Sequence, residues 1–290
     1  MRIGLIGTGL MGAPIVEKLL DADFDMRVYN RSASKLSKLI DKGAKKYTNI
    51  HELIKDSDIV ISMLADFDAF NELVLNIGLN QLNGKTFIQM STIAPPESRE
   101  LQVRIKKLDG EYFEAPVLGS IPQIKAGELI ILVGSTKEQF EKWKTVFDIL
   151  GNKILHIGKV GDATAMKLAL NQLIITETTA FSMSLGYIRE HNLDVNQFMD
   201  VLRGSAIYAP TFDKKLPRML ERNFDNPNFP VKHLLKDLDL ILNEFGSSNI
   251  NTNALKGIRK VIVSELEKGE GNLDYSAIYN SIHLRGGKTP

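Results

Sequence analysis

Three groups of residues in this chain have the types and spacing that chemistry needs. The first is Gly7-Thr8-Gly9-Leu10-Met11-Gly12, inside the run GLIGTGLMGAPI. Glycines in the order G-x-G-x-x-G suit a dinucleotide. Gly7 makes the tight turn, Gly9 lets backbone approach a pyrophosphate, and Gly12 lets a helix pack close to a strand. The second group is Asn30-Arg31-Ser32, with Lys35 one turn on, roughly twenty residues downstream, where such sites hold the adenosine ribose. A carboxylate there would accept bonds from the 2′-hydroxyl of NAD, whereas an arginine pairs bidentately with a 2′-phosphate and a serine adds a hydrogen bond. NADP(H) is the expected cofactor, with NAD(H) the less favoured one; Arg31 and Ser32 as plain surface and helix-cap residues are the alternative. The third group is Lys167 and Asn171, set among Ala165, Met166, Leu168, Ala169 and Leu170. Four residues apart on a helix, they share a face. Taken alone, a helical lysine reads as a surface residue whose stem lies along apolar neighbours.

Elements must hold these groups in place. RIGLI at 2–6 is a short apolar run suited to a buried strand, and APIVEKLLDADF after Gly12 has the period of an amphipathic helix. Further strands are expected over 26–30, 58–64, 85–90, 111–115, 129–134 and 153–158, with helical patterns between them, as at 32–43 and 136–151. Strand–helix alternation predicts an α/β, doubly wound Rossmann-type parallel sheet. After residue 158 the pattern becomes helical throughout, opening with a run of about thirty residues. The boundary is drawn there: 1–158 a dinucleotide-binding domain, 159–290 an all-helical C-terminal domain for substrate and dimerisation. The last stretch, RGGKTP, reads as a frayed tail.

Composition narrows the partners. The 290 residues carry a net charge of +1, which points to neither nucleic acid nor an anionic membrane. With no cysteine there are no disulfides, thiolate metal sites or cysteine nucleophile. The five histidines lack ligand spacing, so no metal is expected. No apolar run approaches the length of about eighteen residues that a membrane helix needs, and a cytoplasmic location is expected.

Four more stretches complete a pattern: FEAPVLGSIPQIKAGELIILVG (113–134), VGDATAMKLALNQ (160–172), MST (90–92) and FPVKHLLKDLDL (229–240). With GLIGTGLMG they resemble, in order and across nearly the whole chain, the motifs of the β-hydroxyacid dehydrogenase family. NRS after the second strand, EAP and FPVKHLLKDL look most like its glyoxylate/succinic semialdehyde reductase branch. The resemblance implies NADPH-dependent reduction of small aldehyde or keto acids, with a carboxylate-bearing aldehyde or hydroxy acid as substrate; separately, an all-helical half of this size with apolar helices exposes apolar surface, and a homodimer or homotetramer is expected. The resemblance makes Lys167 the general acid in reduction and the base in oxidation, with Asn171 orienting its ammonium or meeting the substrate. Ser91, Thr92, Gly119 and Ser120 would hold the substrate carboxylate, Thr92 also touching the cofactor, and Phe229 would wall the pocket. Leu64 and Ala65 would edge the cofactor groove, and Met11 would pack on the nicotinamide side. Lys236 and Asp237, as helix neighbours that do not face each other, are expected to serve different partners: the cofactor, and the substrate or a backbone group. Two residues depart from the family pattern. Leu118 stands where a serine is usual, and Ala163 replaces a glycine. The alternatives are oxidation of 3-hydroxyisobutyrate or another 3-hydroxy acid, and an inactive dinucleotide-binding scaffold. Imine reduction is disfavoured by Lys167.

Overall fold

The computed structural model describes residues 1–76 and 81–284; the RGGKTP tail lies outside them. Contacts divide the chain into two units, Met1–Leu168 and the residues from Ala169 onward. The first unit therefore takes in the opening turns of the helix Asp162–Glu190, whereas the sequence boundary at 158 falls before that helix.

Among its described residues the first unit is built on nine strands: β1 (Arg2–Ile6), β2 (Asp25–Tyr29), β3 (Lys45–Lys46), β4 (Ile59–Ser62), β5 (Thr86–Gln89), β6 (Glu111–Glu114), β7 (Val117–Leu118), β8 (Leu129–Gly134) and β9 (Gly151–Gly158). Their order is β3-β2-β1-β4-β5-β6-β8-β7, with β9 on β8. From β3 to β6 every neighbour is parallel, as alternation predicts. Such strands are covered on both faces and read as apolar runs; Ile59, Val60, Ile61, Phe87 and Ile88 are all buried. The helices Gly12–Leu20 and Lys137–Leu150 supply cover through Ile15, Val16 and Leu19, and through Trp143, Val146, Phe147 and Leu150. The sheet is not parallel throughout: β8 runs antiparallel to β6 and β7. Between β6 and β8 the chain forms β7 and the helix Ile121–Ala126 instead of one long crossover, so β8 returns from the other direction.

Charges gather where β1, β2 and β4 begin. Buried Arg27 holds Asp56 at 2.7 Å and Asp25 at 3.0 Å, and the Tyr47 hydroxyl also donates to Asp56. The bonds from Tyr47 and Arg27 pull the Asp56 carboxyl down from 3.8 to about 2. A depressed carboxyl contributes stability that is complete above its unfolded value and disappears as pH falls through the folded one. Between 3.8 and about 2, then, the urea midpoint of the parent should fall more steeply than that of Asp56→Asn. Parallel slopes would refute this account of Asp56.

The second unit is helical: the remainder of Asp162–Glu190, then Val195–Arg203, Pro210–Glu221, Val231–Ser247 and Asn253–Glu267, with short turns at Tyr275–Ile278 and Tyr279–Ile282. Among its described residues the β-structure is one isolated bridge, Pro230 to Asp274. Phe181 stacks on Phe212 with centroids 4.7 Å apart, and Leu185, Leu234, Leu238, Ile241 and Tyr279 are fully buried.

Candidate active site

The three glycines of the first motif meet three different demands. Gly7 has φ of 99°, and a Cβ there would strike the Met63 carbonyl beyond β4. A Cβ on Gly12 would collide with the Gly7 carbonyl oxygen, so the helix sits directly on the turn. Gly9 has nothing within 4 Å of where its Cβ would lie. Nothing in the chain itself requires a glycine there, and the space is open to an outside group. Two observations concern that visitor. Met11, at the N-cap of the helix Gly12–Leu20, makes no side-chain cap bond; the Ala13 N–H is taken by the Gly9 carbonyl at 3.1 Å and Pro14 has none, so an anion would meet the helix end ahead of Ala13. Thr8 is 2% exposed, and its Oγ1 has no hydrogen-bond partner. A dinucleotide pyrophosphate fits this cradle. Leu10 is exposed beside it, and Met11 packs half-buried against the core.

The other expected cofactor residues follow the carboxyl ends of parallel strands, where open α/β sheets bind ligands. After β2, Asn30 Nδ2 donates to the Ser32 carbonyl at 3.1 Å, while Arg31, Ser32 and Lys35 are exposed. The pattern at 32–43 resolves into a 3₁₀ turn, Ala33–Leu36, and a short α-helix, Ser37–Asp41. Ser32 makes no side-chain cap bond, so its hydroxyl is not spent on the helix start. Leu64 and Ala65 follow β4, half-buried and exposed respectively.

Ser91 and Thr92 follow β5, with Ser91 buried. They do not cap the next helix: Ala94 is its N-cap, and Glu97 accepts the Ala94 N–H at 2.7 Å. Gly119, at φ of 130°, could not carry a side chain without meeting Leu129. Ser120 is engaged within the chain. Its N–H and its hydroxyl both donate to Gln123 Oε1, at 3.0 and 2.8 Å. A substrate carboxylate would have to replace that amide oxygen. The S-x-x-Q spacing of a capping box was the signal for it. Leu118 lies in β7 opposite Ile130, and Ala163 is fully buried.

Lys167 is only 8% exposed, on the helix Asp162–Glu190 between the buried residues Thr164 and Leu168. It is not the solvated lysine that a helix position alone suggests. Asn171, one turn on, is 4% exposed. Within the second unit its Nδ2 donates to Asp237 Oδ2 at 2.7 Å. Because a carboxylate only accepts, the amide nitrogen must face Asp237, and the carbonyl oxygen of Asn171 is turned away from it. Asp237 Oδ1 lies 2.8 Å from Lys236 Nζ as an ion pair. Lys236 and Asp237, expected to serve different partners, therefore pair with each other here. The lysine stem is long enough to curl back onto its neighbour, which the spacing of Cβ atoms does not reveal. Asn171 holds Oδ2, the Lys236 ammonium lies beside Oδ1, which is buried and accepts no hydrogen bond, and a negative group is ill suited to a substrate carboxylate. Phe229 is half-buried, its ring 5.6 Å from that of Tyr275 and its carbonyl accepting the Tyr275 N–H at 2.8 Å.

Known proteins match both parts of the chain. Residues 2–158 fit the NAD binding domain of 6-phosphogluconate dehydrogenase, and residues 161–282 fit the NAD-binding domain of NADP-dependent 3-hydroxyisobutyrate dehydrogenase. Glyoxylate/succinic semialdehyde reductase 1 of Arabidopsis thaliana is 32% identical, over 97% of this chain and 98% of its own. The chain belongs to the β-hydroxyacid dehydrogenase family. Another β-hydroxyacid dehydrogenase, the mitochondrial 3-hydroxyisobutyrate dehydrogenase of Drosophila melanogaster, is 30% identical over 96% of this chain and 88% of its own. In fold, the chain resembles 3-hydroxyisobutyrate dehydrogenase of Mycobacterium tuberculosis, solved with L-serine, at a TM-score of 0.87 and 20% identity over 98% and 99% of the two chains. As a β-hydroxyacid dehydrogenase it is an NAD(P)-dependent oxidoreductase of CH–OH groups in small hydroxy acids.

Proposed function

We propose that this enzyme reduces small aldehyde or keto acids, of the glyoxylate and succinic semialdehyde type, with NADPH. The observation that carries the chemistry is the Lys167 ammonium, buried at 8% exposure on the same helix face as Asn171. The reduced nicotinamide, when bound, supplies the hydride. As hydride reaches the carbonyl carbon, negative charge develops on the oxygen, and Lys167 gives that oxygen its proton. In the reverse direction the neutral amine takes the proton back. Asn171, held by Asp237, keeps an acceptor oxygen available to orient the ammonium or a substrate hydroxyl. Ser91, Thr92 and Gly119 bind the substrate carboxylate, joined by Ser120 once Gln123 is displaced.

NADPH is preferred over NADH on the strength of Arg31 and Ser32 after β2, with no carboxylate in the segment Asn30–Lys35. A charge-assisted pair with the 2′-phosphate is worth about 1.5–3 kcal/mol. Arg31→Asp should therefore weaken NADPH binding by roughly tenfold to a hundredfold or more, while NADH changes little. Equal losses for both would dispose of the phosphate assignment. The substrate class is tested by NADPH oxidation with glyoxylate and succinic semialdehyde, set against NADP and NAD reduction with 3-hydroxyisobutyrate. The Drosophila relative supports that last compound as the second reading. Turnover confined to 3-hydroxyisobutyrate would replace the aldehyde-acid assignment with it. Binding of NADPH without any turnover would favour the scaffold reading, against which Lys167 stands.

A further inference from the structure

The helix that carries Lys167 begins after a glycine, and its first residue, Asp162, turns its carboxylate back to accept the Lys159 N–H at 3.0 Å. Gly161, before its first residue Asp162, sits at φ of 102° and has no side chain to offer. The first N–H groups of a helix have no partner within it. Here the Asp162 N–H is met by the Lys159 carbonyl at 3.0 Å, and those of Gly161 and Thr164 are met from the sheet. Glu114, the last residue of β6, accepts the Gly161 N–H at 2.9 Å and the Thr164 N–H at 3.0 Å on Oε1. The Thr164 hydroxyl lies 3.3 Å from each carboxylate oxygen, and Ser98 donates to Oε2. Ser98 also meets the Tyr112 hydroxyl at 2.9 Å. Glu114 is fully buried, and a side chain at Gly134, opposite it on β8, would collide with its carboxyl group.

This is a costly way to cap a helix. A side chain at position 161 cannot do the task, because the backbone there has φ of 102° and a Cβ would collide with the Arg99 guanidinium; the buried carboxylate that replaces it must be matched by donors. Burial pushes the Glu114 carboxyl up, and the bonds from Ser98, Thr164 and Gly161 pull it back. What the arrangement adds over a local cap is attachment. One carboxylate ties the start of the helix to β6, next to the strands that bear the cofactor loops, and Lys167 lies three residues beyond Thr164. We propose that Glu114 is the positioning residue for Lys167, fixing the height and direction of the helix start and with them the place of the ammonium relative to the Gly7–Gly12 loop. This rests on Lys167 being the proton donor.

Positioning by reach makes a prediction that charge alone does not. Glu114→Gln keeps the length and an acceptor oxygen for both N–H groups, and its amide can donate to Ser98. Glu114→Asp keeps the charge but is one methylene short. Misplacement of a reacting group by about 1 Å costs on the order of a hundredfold. With NADPH and glyoxylate or succinic semialdehyde at saturation, kcat of Glu114→Gln should lie within about threefold of the parent. That of Glu114→Asp should fall by roughly ten- to a hundredfold, with NADPH affinity unchanged in both. Should Glu114→Asp fail to fold, Ser98→Ala takes its place, and an expected loss of about threefold to tenfold in kcat follows from loosening the other oxygen. Parent kcat in the short or loosened variant, or a loss of NADPH affinity equal to the loss of kcat, overturns the proposal. Lys167→Ala run alongside keeps the two ideas apart: if it turns over like the parent, the proton-donor reading itself has failed.

Discussion

Lys167→Ala should bind NADPH about as well as the parent and reduce aldehyde acids roughly a hundredfold to ten-thousandfold more slowly. That range is what a positioned general acid contributes. The cofactor cradle owes nothing to Lys167: its turn, its close helix packing and its open approach belong to Gly7, Gly12 and Gly9. Loss should therefore appear in kcat and not in the dinucleotide titration. A second substitution separates charge from proton transfer. Lys167→Arg retains a cation, but a guanidinium does not release its proton at working pH. It should remain close to the alanine variant in rate if proton donation is what matters, and recover most of the activity if a fixed positive charge suffices. Turnover of the alanine variant at the parent rate would end the mechanism proposed above.

The largest loss of stability is expected in the second unit, from Asp274→Ala. Lys215 Nζ lies 2.7 and 2.9 Å from the two oxygens of Asp274, which is fully buried, and 4.1 Å from the centre of the Tyr275 ring. The Ser276 N–H and hydroxyl also donate to Asp274, at 3.2 and 2.7 Å. Burial drags the Lys215 amine below its ordinary range, and Asp274 draws it back up. Removing the carboxylate strands an ammonium among aromatic and aliphatic neighbours, at a cost of about 3–5 kcal/mol. Removing both charges, with Lys215→Met added to Asp274→Ala, should return much of that loss, because the penalty lies in the unpaired ion more than in the absent pair. Urea unfolding followed by helical signal measures both. A single variant within about 1 kcal/mol of the parent, at the level of a surface pair, would show that water reaches this site.

Which parts of this architecture could be read from residue order depends on how far each signal extends along the chain. β1, β4, β5 and β8 are apolar runs long enough to declare themselves, and the long helix after residue 160 has many turns of unbroken period. β3 and β7 are two residues each, too short for any period, and they exist because a neighbouring strand offers bonds. The direction of β8 was equally hidden, since an apolar run reads the same for parallel and antiparallel pairing. For the site, motif order names the Gly7–Gly12 loop, the Arg31 segment and Lys167 as candidates, because each signal depends on its own neighbours in the chain. What motif order left out was competition for hydrogen bonds. Gln123 takes both donors of Ser120, and Asp237 takes Asn171 and Lys236 at once. Glu114 stood in plain view in FEAP, but nothing local says that a strand-end carboxylate reaches the start of a helix nearly fifty residues on.

Gly9 differs from its two companions in what its loss would do. Drift at Gly7 or Gly12 damages the turn or the helix seat, and the domain suffers along with its ligand. Drift at Gly9 meets empty space: the first unit would still close its sheet and bury its core while the way in for the pyrophosphate is plugged. If Gly9 admits the pyrophosphate as proposed, one position can turn the oxidoreductase into a well-folded but empty shell, and a descendant kept for its surfaces alone would find the easiest route to silence there.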